Sequence, residues 1–202
     1  QIKKGNMRIF LKIISYIFHP IFIPFFGCIL YFTFSSRFFP RPLIDAKLLA
    51  IAIITVFIPI VFFFLLRTLG LAGNIFLEKA KERILPLLLY IVLLYLLVLK
   101  IIFDEVDFPE LHYFFLGVLF SSMTSLILAF LNLKISLHMV GISGLTMFLI
   151  ALSIYFKVNL LDTLAFLIVA NGLVASSRLE SKSHSIPELV IGVFIGIIPQ
   201  LL

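Results

Sequence analysis

Cysteine occurs once in the 202 residues, as Cys28. One thiol forms neither an intrachain disulfide framework nor a cysteine-based metal site. Charge is scarce as well: Asp, Glu, Lys and Arg make up 13% of the chain, where a soluble domain carries about a quarter. There is no low-complexity stretch, no internal repeat and no polar stretch long enough for a separate soluble domain. A chain this poor in polar residues cannot wrap its core in a water-facing surface, which excludes a soluble globular protein.

Hydrocarbon fills the place of charge. Hydrophobic residues make up 62% of the sequence, and its mean hydropathy is +1.23. A bilayer core is crossed by about 20 apolar residues in a helix, and only helices or closed barrels satisfy the backbone there. The apolar runs are continuous rather than alternating, which excludes a barrel. Seven segments stand out: Ile9 to Phe34, Leu48 to Leu66, Ile84 to Phe103, Tyr113 to Leu131, Met139 to Phe156, Leu160 to Ala175 and Leu189 to Leu202. The expected fold class is therefore all-α: a polytopic transmembrane bundle of six to seven spans, forming a single integral membrane domain over 1–202. The first run is too long for a cleaved signal peptide and lacks a small-residue cleavage site. It contains His19-Pro20 and Pro24, so it is expected to bend or to be partly re-entrant, because proline removes a helical hydrogen bond.

Alternating the segments across a bilayer sorts the charges onto two faces. The face holding the N-terminus receives eleven basic residues and the other five. The positive-inside rule then puts the first face, with the N-terminus, in the cytoplasm. Six of the eleven are Lys79, Lys81, Arg83, Lys134, Arg178 and Lys182. They lie where an anion site would need them, and without them the count is five against five.

Three polar loops of the first face carry the candidate chemistry: Glu78 to Pro86, Lys134 to His138, and Ser177 to Glu188. Two apolar segments separate each loop from the next, so all three return to one side and can converge. Together they offer bases, two histidines and several hydroxyls. Cations with multiple donors match a phosphate dianion, and arginine adds bidentate geometry. Carboxylates are few there, which is poor material for a magnesium clamp. The one acidic cluster, Asp104 to Glu110, lies on the opposite face. This argues against prenyltransferases and CDP-alcohol transferases, which need aspartate-rich motifs.

The third loop reads Ser177-Arg178, five residues, His184, three residues, Glu188. It resembles the third signature of the type 2 phosphatidic acid phosphatase superfamily, in which the last position is Asp. Ile135-Ser136-Leu137-His138 is similar to that family's Pro-Ser-Gly-His. The first signature, Lys, six residues, Arg-Pro, is poorly matched: Arg83 precedes Pro86 by three positions, and Phe76 stands where the lysine belongs. The resemblance spans about Lys79 to Glu188. It implies a membrane phosphatase acting on a lipid phosphate or diphosphate through a phosphohistidine, without metal or other cofactor. His184 would be the nucleophile, Glu188 its orienting acid and His138 the general acid. Arg83, Arg178, Lys134 and Ser136, with Lys79 or Lys81, would hold the phosphoryl oxygens. The partners implied are a membrane lipid and the bilayer of a bacterial cell, with no nucleic acid.

Other readings attach to the same residues. Ser185-Ile186-Pro187-Glu188 is a capping box, and a Glu folded back onto its N-cap is expected to point less readily at His184. His19 is expected to be neutral and bonded to a carbonyl freed by Pro20, although intramembrane ionisable residues are functional candidates by default. Gly141 and Gly144 fit close helix packing. Gly141-Ile142-Ser143-Gly144 also matches the rhomboid protease Gly-x-Ser-Gly pattern, with His184 as the only downstream histidine. A relative that keeps the fold but binds or moves a phosphorylated lipid without turnover is the remaining alternative.

Overall fold

The computed structural model describes residues 2–71, 80–101 and 107–202. Helix is the only regular structure among them, with no strand. Five helices are long and apolar enough to cross a membrane: Arg41–Thr68, Ala80–Leu99, Pro109–Phe130, Leu137–Phe156 and Leu161–Glu180. Two shorter apolar helices, Ile23–Phe34 and Ile186–Leu201, accompany them. The chain is an all-helical membrane bundle. Large apolar side chains such as Val61, Ile154 and Phe166 lie more than 60% exposed around its outside, where hydrocarbon is their natural solvent.

The first apolar segment is two helices, α1 (Ile2–Ile17) and α2 (Ile23–Phe34), broken over Phe18–Phe22. Pro20 lacks an N–H and disfavours helical geometry in the residue before it, so the helix cannot run through. Two short turns fill the gap, Phe22 N–H to His19 C=O and Ile23 N–H to Pro20 C=O. The second segment begins earlier than hydropathy suggests. Helix α3 (Arg41–Ala52) passes through a π turn at Ile53–Phe57 into α4 (Ile58–Thr68), making one 28-residue helix. The π turn sits just before Pro59, a known setting for a local register change. Helix α5 (Ile84–Leu96) follows a 3-10 turn, Ala80–Arg83, and ends in a second π turn, Leu97–Ile101.

Helices α6 (Pro109–Phe130), α7 (Leu137–Phe156), α8 (Leu161–Glu180) and α9 (Ile186–Ile197) complete the bundle, with α9 tightening into a 3-10 turn over Ile198–Leu201. Several helix C-terminal ends share one device. In α6, α7 and α8, and likewise in α4, the backbone takes positive φ just past the end, at Asn132, Lys157, Lys182 and Gly70, and the next N–H returns five residues to close a Schellman motif.

The most extensive helix pair is α7 with α9. Gly144 and Gly196 make it close: a Cβ on Gly144 would lie 3.1 Å from the Gly196 carbonyl oxygen, and one on Gly196 would strike Ser143 Oγ and the Val140 carbonyl. Ser143 is buried in this contact, donating to the Met139 carbonyl at 2.6 Å, with the Val193 carbonyl 3.2 Å away. The rhomboid-like match is therefore a packing motif, with its serine sealed between helices.

The two ends of the bundle are tied differently. At the end opposite the N-terminus, Arg37 donates twice to Glu110 Oε1, at 2.8 and 3.2 Å, while Tyr31 O–H reaches Oε2 at 3.0 Å. At the N-terminal end Arg8 pairs with Glu180 at 2.8 Å. The three polar loops meet at this end.

Candidate functional site

His184 occupies a five-residue connection, 181–185, whose backbone is fixed from both sides. Upstream, α8 ends in the Schellman motif centred on Lys182, and the Arg178 carbonyl accepts from both Ser183 and His184 N–H, at 3.1 and 3.4 Å. Downstream, Ser185 caps α9, with Pro187 in the first turn.

Glu188 serves the cap and the histidine together. Its Oε2 accepts the Ser185 N–H at 3.2 Å and lies 2.8 Å from His184 Nδ1. This corrects the expectation that the two roles compete: one oxygen has lone pairs for both donors, and one helical turn, i to i+4, brings the side chains together. A carboxylate accepts, so His184 Nδ1 carries the hydrogen and the lone pair of the neutral ring falls on Nε2. The imidazole side chain is only 4% exposed. Burial, together with the nearby positive charges of Arg83 and Lys134, outweighs the Glu188 hydrogen bond and pushes its pKa down from 6.5 to about 4. At neutral pH the ring is uncharged.

The second loop is sewn to the first turn of α9. Ser136 N–H donates to the Glu188 carbonyl at 3.3 Å, and Gly192 lets the two backbones meet, since a Cβ there would lie 2.8 Å from the Ser136 carbonyl oxygen. Lys134 Nζ donates to the Ser183 carbonyl at 2.6 Å. The first loop joins through Arg83, which is buried and donates from Nη1 to the Ile135 carbonyl at 2.6 Å. Three segments far apart in sequence thus bring the charges of Arg83 and Lys134 near His184.

Several residues sit differently from expectation. Ser177 and Arg178 belong to the last turn of α8 rather than to a loop. Ser136 is fully buried as the N-cap of α7, its Oγ accepting Met139 N–H at 3.4 Å, so it holds the helix start in place of an anion. Lys81 is exposed on the 3-10 turn before α5, and Lys79 lies outside the described residues. His138 is 5% exposed, with Nε2 3.2 Å from the Ser15 carbonyl oxygen. A carbonyl only accepts, so Nε2 is the donor. The nitrogen that would serve as a general acid here faces the backbone of α1.

Helix α1 is the contributor that sequence reasoning missed. Arg178 Nη2 donates to Ser15 Oγ at 2.6 Å; Ser15 Oγ lies 2.6 Å from Ser177 Oγ, which donates to the Leu11 carbonyl at 2.7 Å. Each hydroxyl has one hydrogen, so the chain of donors runs Arg178, Ser15, Ser177, Leu11. All three side chains are buried. The His19 ring stands 5.2 Å from that of His138, edge to face. Its Nδ1 accepts Ile21 N–H at 3.4 Å. The available signal was Ser15 and His19, polar residues four apart in an otherwise apolar stretch.

Beside this cluster an apolar cavity of about 580 Å³ opens between the α1–α2 break, α4, α5, α6 and α7. Arg83 and His19 line it together with apolar residues such as Pro59, Phe63 and Leu87. Among the described residues no three His, Cys, Asp or Glu side chains come together as metal ligands. No family model, curated protein or solved structure matches this chain.

Proposed function

We propose that this protein is an integral membrane phosphatase that hydrolyses a lipid phosphate or diphosphate through a phosphohistidine, as the resemblance to the type 2 phosphatidic acid phosphatases implies. The observation that carries the reading is the His184–Glu188 pair, 2.8 Å apart and surrounded by Arg83 and Lys134. A neutral imidazole with Nδ1–H held by a carboxylate has its Nε2 lone pair available for attack.

In the first step Nε2 attacks phosphorus, the bond from phosphorus to the leaving oxygen breaks, and that oxygen takes a proton. The ring becomes an N-phosphoimidazolium, whose charge Glu188 stabilises. In the second step water attacks phosphorus, the P–N bond breaks, and inorganic phosphate leaves with the neutral ring restored. Cations around the phosphoryl group offset its charge more strongly in a low-dielectric site than they would in water. The cavity with Arg83 on its wall supports a lipid substrate, since it offers an aliphatic chain an apolar berth next to the cations. The same pocket would face the cytoplasm if the basic excess of its face sets the orientation.

Phosphate release from phosphatidate and from a polyprenyl diphosphate, with EDTA present, tests this reading. Release by the wild type that falls at least ~10³-fold in His184→Ala is expected, the scale of loss when a covalent nucleophile is removed. A folded, monodisperse wild type that releases nothing from either substrate overturns the phosphatase reading.

One observation favours a second reading, a relative that binds or moves a phosphorylated lipid without turnover. His138 Nε2 is committed to the Ser15 carbonyl, and Arg83 and Lys134 each spend a donor on a backbone carbonyl. Headgroup binding needs only charge and hydrogen bonding. Proton delivery to a leaving group needs more.

A further inference from the structure

We infer that the apolar cavity is a binding site for a neutral lipid that carries a hydroxyl, and that this hydroxyl donates to Gln200 Oε1. The inference asks nothing of the His184 pair and stands whether or not the protein hydrolyses phosphate esters.

Gln200 lies in the 3-10 turn that ends α9. At a rise of 1.5 Å per residue this turn is roughly 20 Å along the helix from the His184 loop. The residue is only 9% exposed and lines the cavity. Its Nε2 donates to the Phe114 carbonyl at 3.1 Å, which orients the amide. Among the described residues, none donates a hydrogen bond to Oε1. Phe114 sits inside α6, where the helix ladder already gives its carbonyl a donor, so the backbone there is complete without the amide. An apolar side chain of similar size would fill the space without burying an amide oxygen, a group that costs free energy until a donor reaches it. Helix α6 is shaped to receive the glutamine. A Cβ on Gly117 would lie 2.7 Å from Gln200 Cδ and 2.9 Å from the Pro199 carbonyl oxygen.

Three serines of α6 narrow the chemistry of the ligand. Ser121, Ser122 and Ser125 are buried and line the same cavity. Ser121 Oγ donates to the Ile195 carbonyl at 2.9 Å, Ser122 Oγ to Val118 at 2.8 Å and Ser125 Oγ to Ser121 at 2.7 Å. Each hydroxyl has one hydrogen, so these oxygens keep only lone pairs. With Gln200 Oε1 they make a stretch of wall that accepts hydrogen bonds and disfavours anionic oxygens. An ammonium would leave its charge unpaired in hydrocarbon, and an amide N–H would bring a carbonyl in need of a donor of its own. A neutral hydroxyl fits without either cost. The other walls carry apolar side chains such as Pro59, Phe63 and Leu87, suited to the hydrocarbon part. A volume of about 580 Å³ falls within the range of sites that enclose one small ligand. Arg83 and His19 also line the cavity, and both are already bonded within the fold; the hydroxyl site draws on neither.

The test is photolabelling of the full chain in lipid nanodiscs with 1-hexadecanol carrying a diazirine in its chain. Unlabelled 1-hexadecanol and its methyl ether, which lacks the donor, compete for the site. We expect label on peptides of the cavity walls, displaced by the alcohol roughly tenfold more effectively than by the ether, the scale of one buried hydrogen bond. In Gln200→Leu that preference should disappear while labelling persists, because the apolar walls are unchanged. An ether that competes within a factor of about two of the alcohol in the wild type, less than one such bond is worth, overturns the assignment. So does a preference that survives in Gln200→Leu. Labelling that the unlabelled alcohol does not displace marks a cavity holding water or bulk lipid only, and overturns the site altogether. Should Gln200→Leu not fold, the alcohol-to-ether ratio and the labelled peptides of the wild type decide: equal competition, or label away from the cavity walls, contradicts the inference.

Discussion

Glu188 shows how one side chain can meet two demands when the backbone is arranged for it. The N-cap N–H of Ser185 and the Nδ1–H of His184 converge on the same oxygen, so helix initiation and ring orientation are a single event. The pH consequence follows from the His184 pKa, lowered from 6.5 to about 4. A folded-state pKa below the unfolded one means the unfolded chain binds the proton first. The contribution of the neutral ring to stability is therefore fully present above pH 6.5 and lost as pH falls through that value toward 4. The same shift keeps the proposed nucleophile neutral in mild acid. The His184 imidazole resonances are expected to titrate near pH 4, and a midpoint at pH 6.5 would show that His184 is not the neutral group described here.

At the scale of elements, two glycines decide how the site is assembled. Gly196 closes the α7–α9 interface at depth, and Gly192 closes it where the Ser136 backbone meets α9 one turn beyond Glu188. The Ser136 contact is with backbone oxygen, which cannot step aside as a flexible side chain would. Gly192→Ala is therefore expected to push the second loop from α9, at a cost of about 1–3 kcal/mol, the usual range for overpacking. Phosphate release should fall with the protein still folded. Unchanged thermal midpoint and activity would show that the loops are not held by this contact.

Much of this level was legible in the sequence. The seven apolar runs all carry helices, and the Pro20 break lies where proline chemistry puts it. The i, i+4 spacing of His184 and Glu188 could be read directly. The end of α8 could not. Hydropathy falls after Ala175, yet the helix continues through Arg178 because Ser177 and Arg178 find buried partners on α1. Those partners are more than 160 residues away in the chain, and no local pattern announces such a contact. Ser136 reads as an anion ligand in its motif, whereas locally its Oγ accepts Met139 N–H three residues on and caps α7.

The whole molecule is polarised along its axis. One end carries the His184 loop, Lys134 and Arg83; the other is pinned by Tyr31, Arg37 and Glu110. Cys28 is completely buried, so the native thiol is silent toward polar maleimides, and introduced cysteines report cleanly. Lys182→Cys and Arg37→Cys are expected to label from opposite sides of sealed vesicles, with the Lys182 side being that of the proposed phosphate site. Labelling of both from one side would contradict the six- to seven-span arrangement in which the two ends face different compartments.

The central claim is that His184 becomes phosphorylated, and trapping that species tests it most directly. Wild-type protein mixed with a lipid phosphate and quenched in alkali, where phosphohistidine survives, should carry one phosphoryl group on the peptide containing His184. It should carry none in His184→Ala and should accumulate more in a variant slowed at the water step. Turnover of substrate with no phosphorylated His184 peptide, or a phosphoryl group on another residue, would contradict the account.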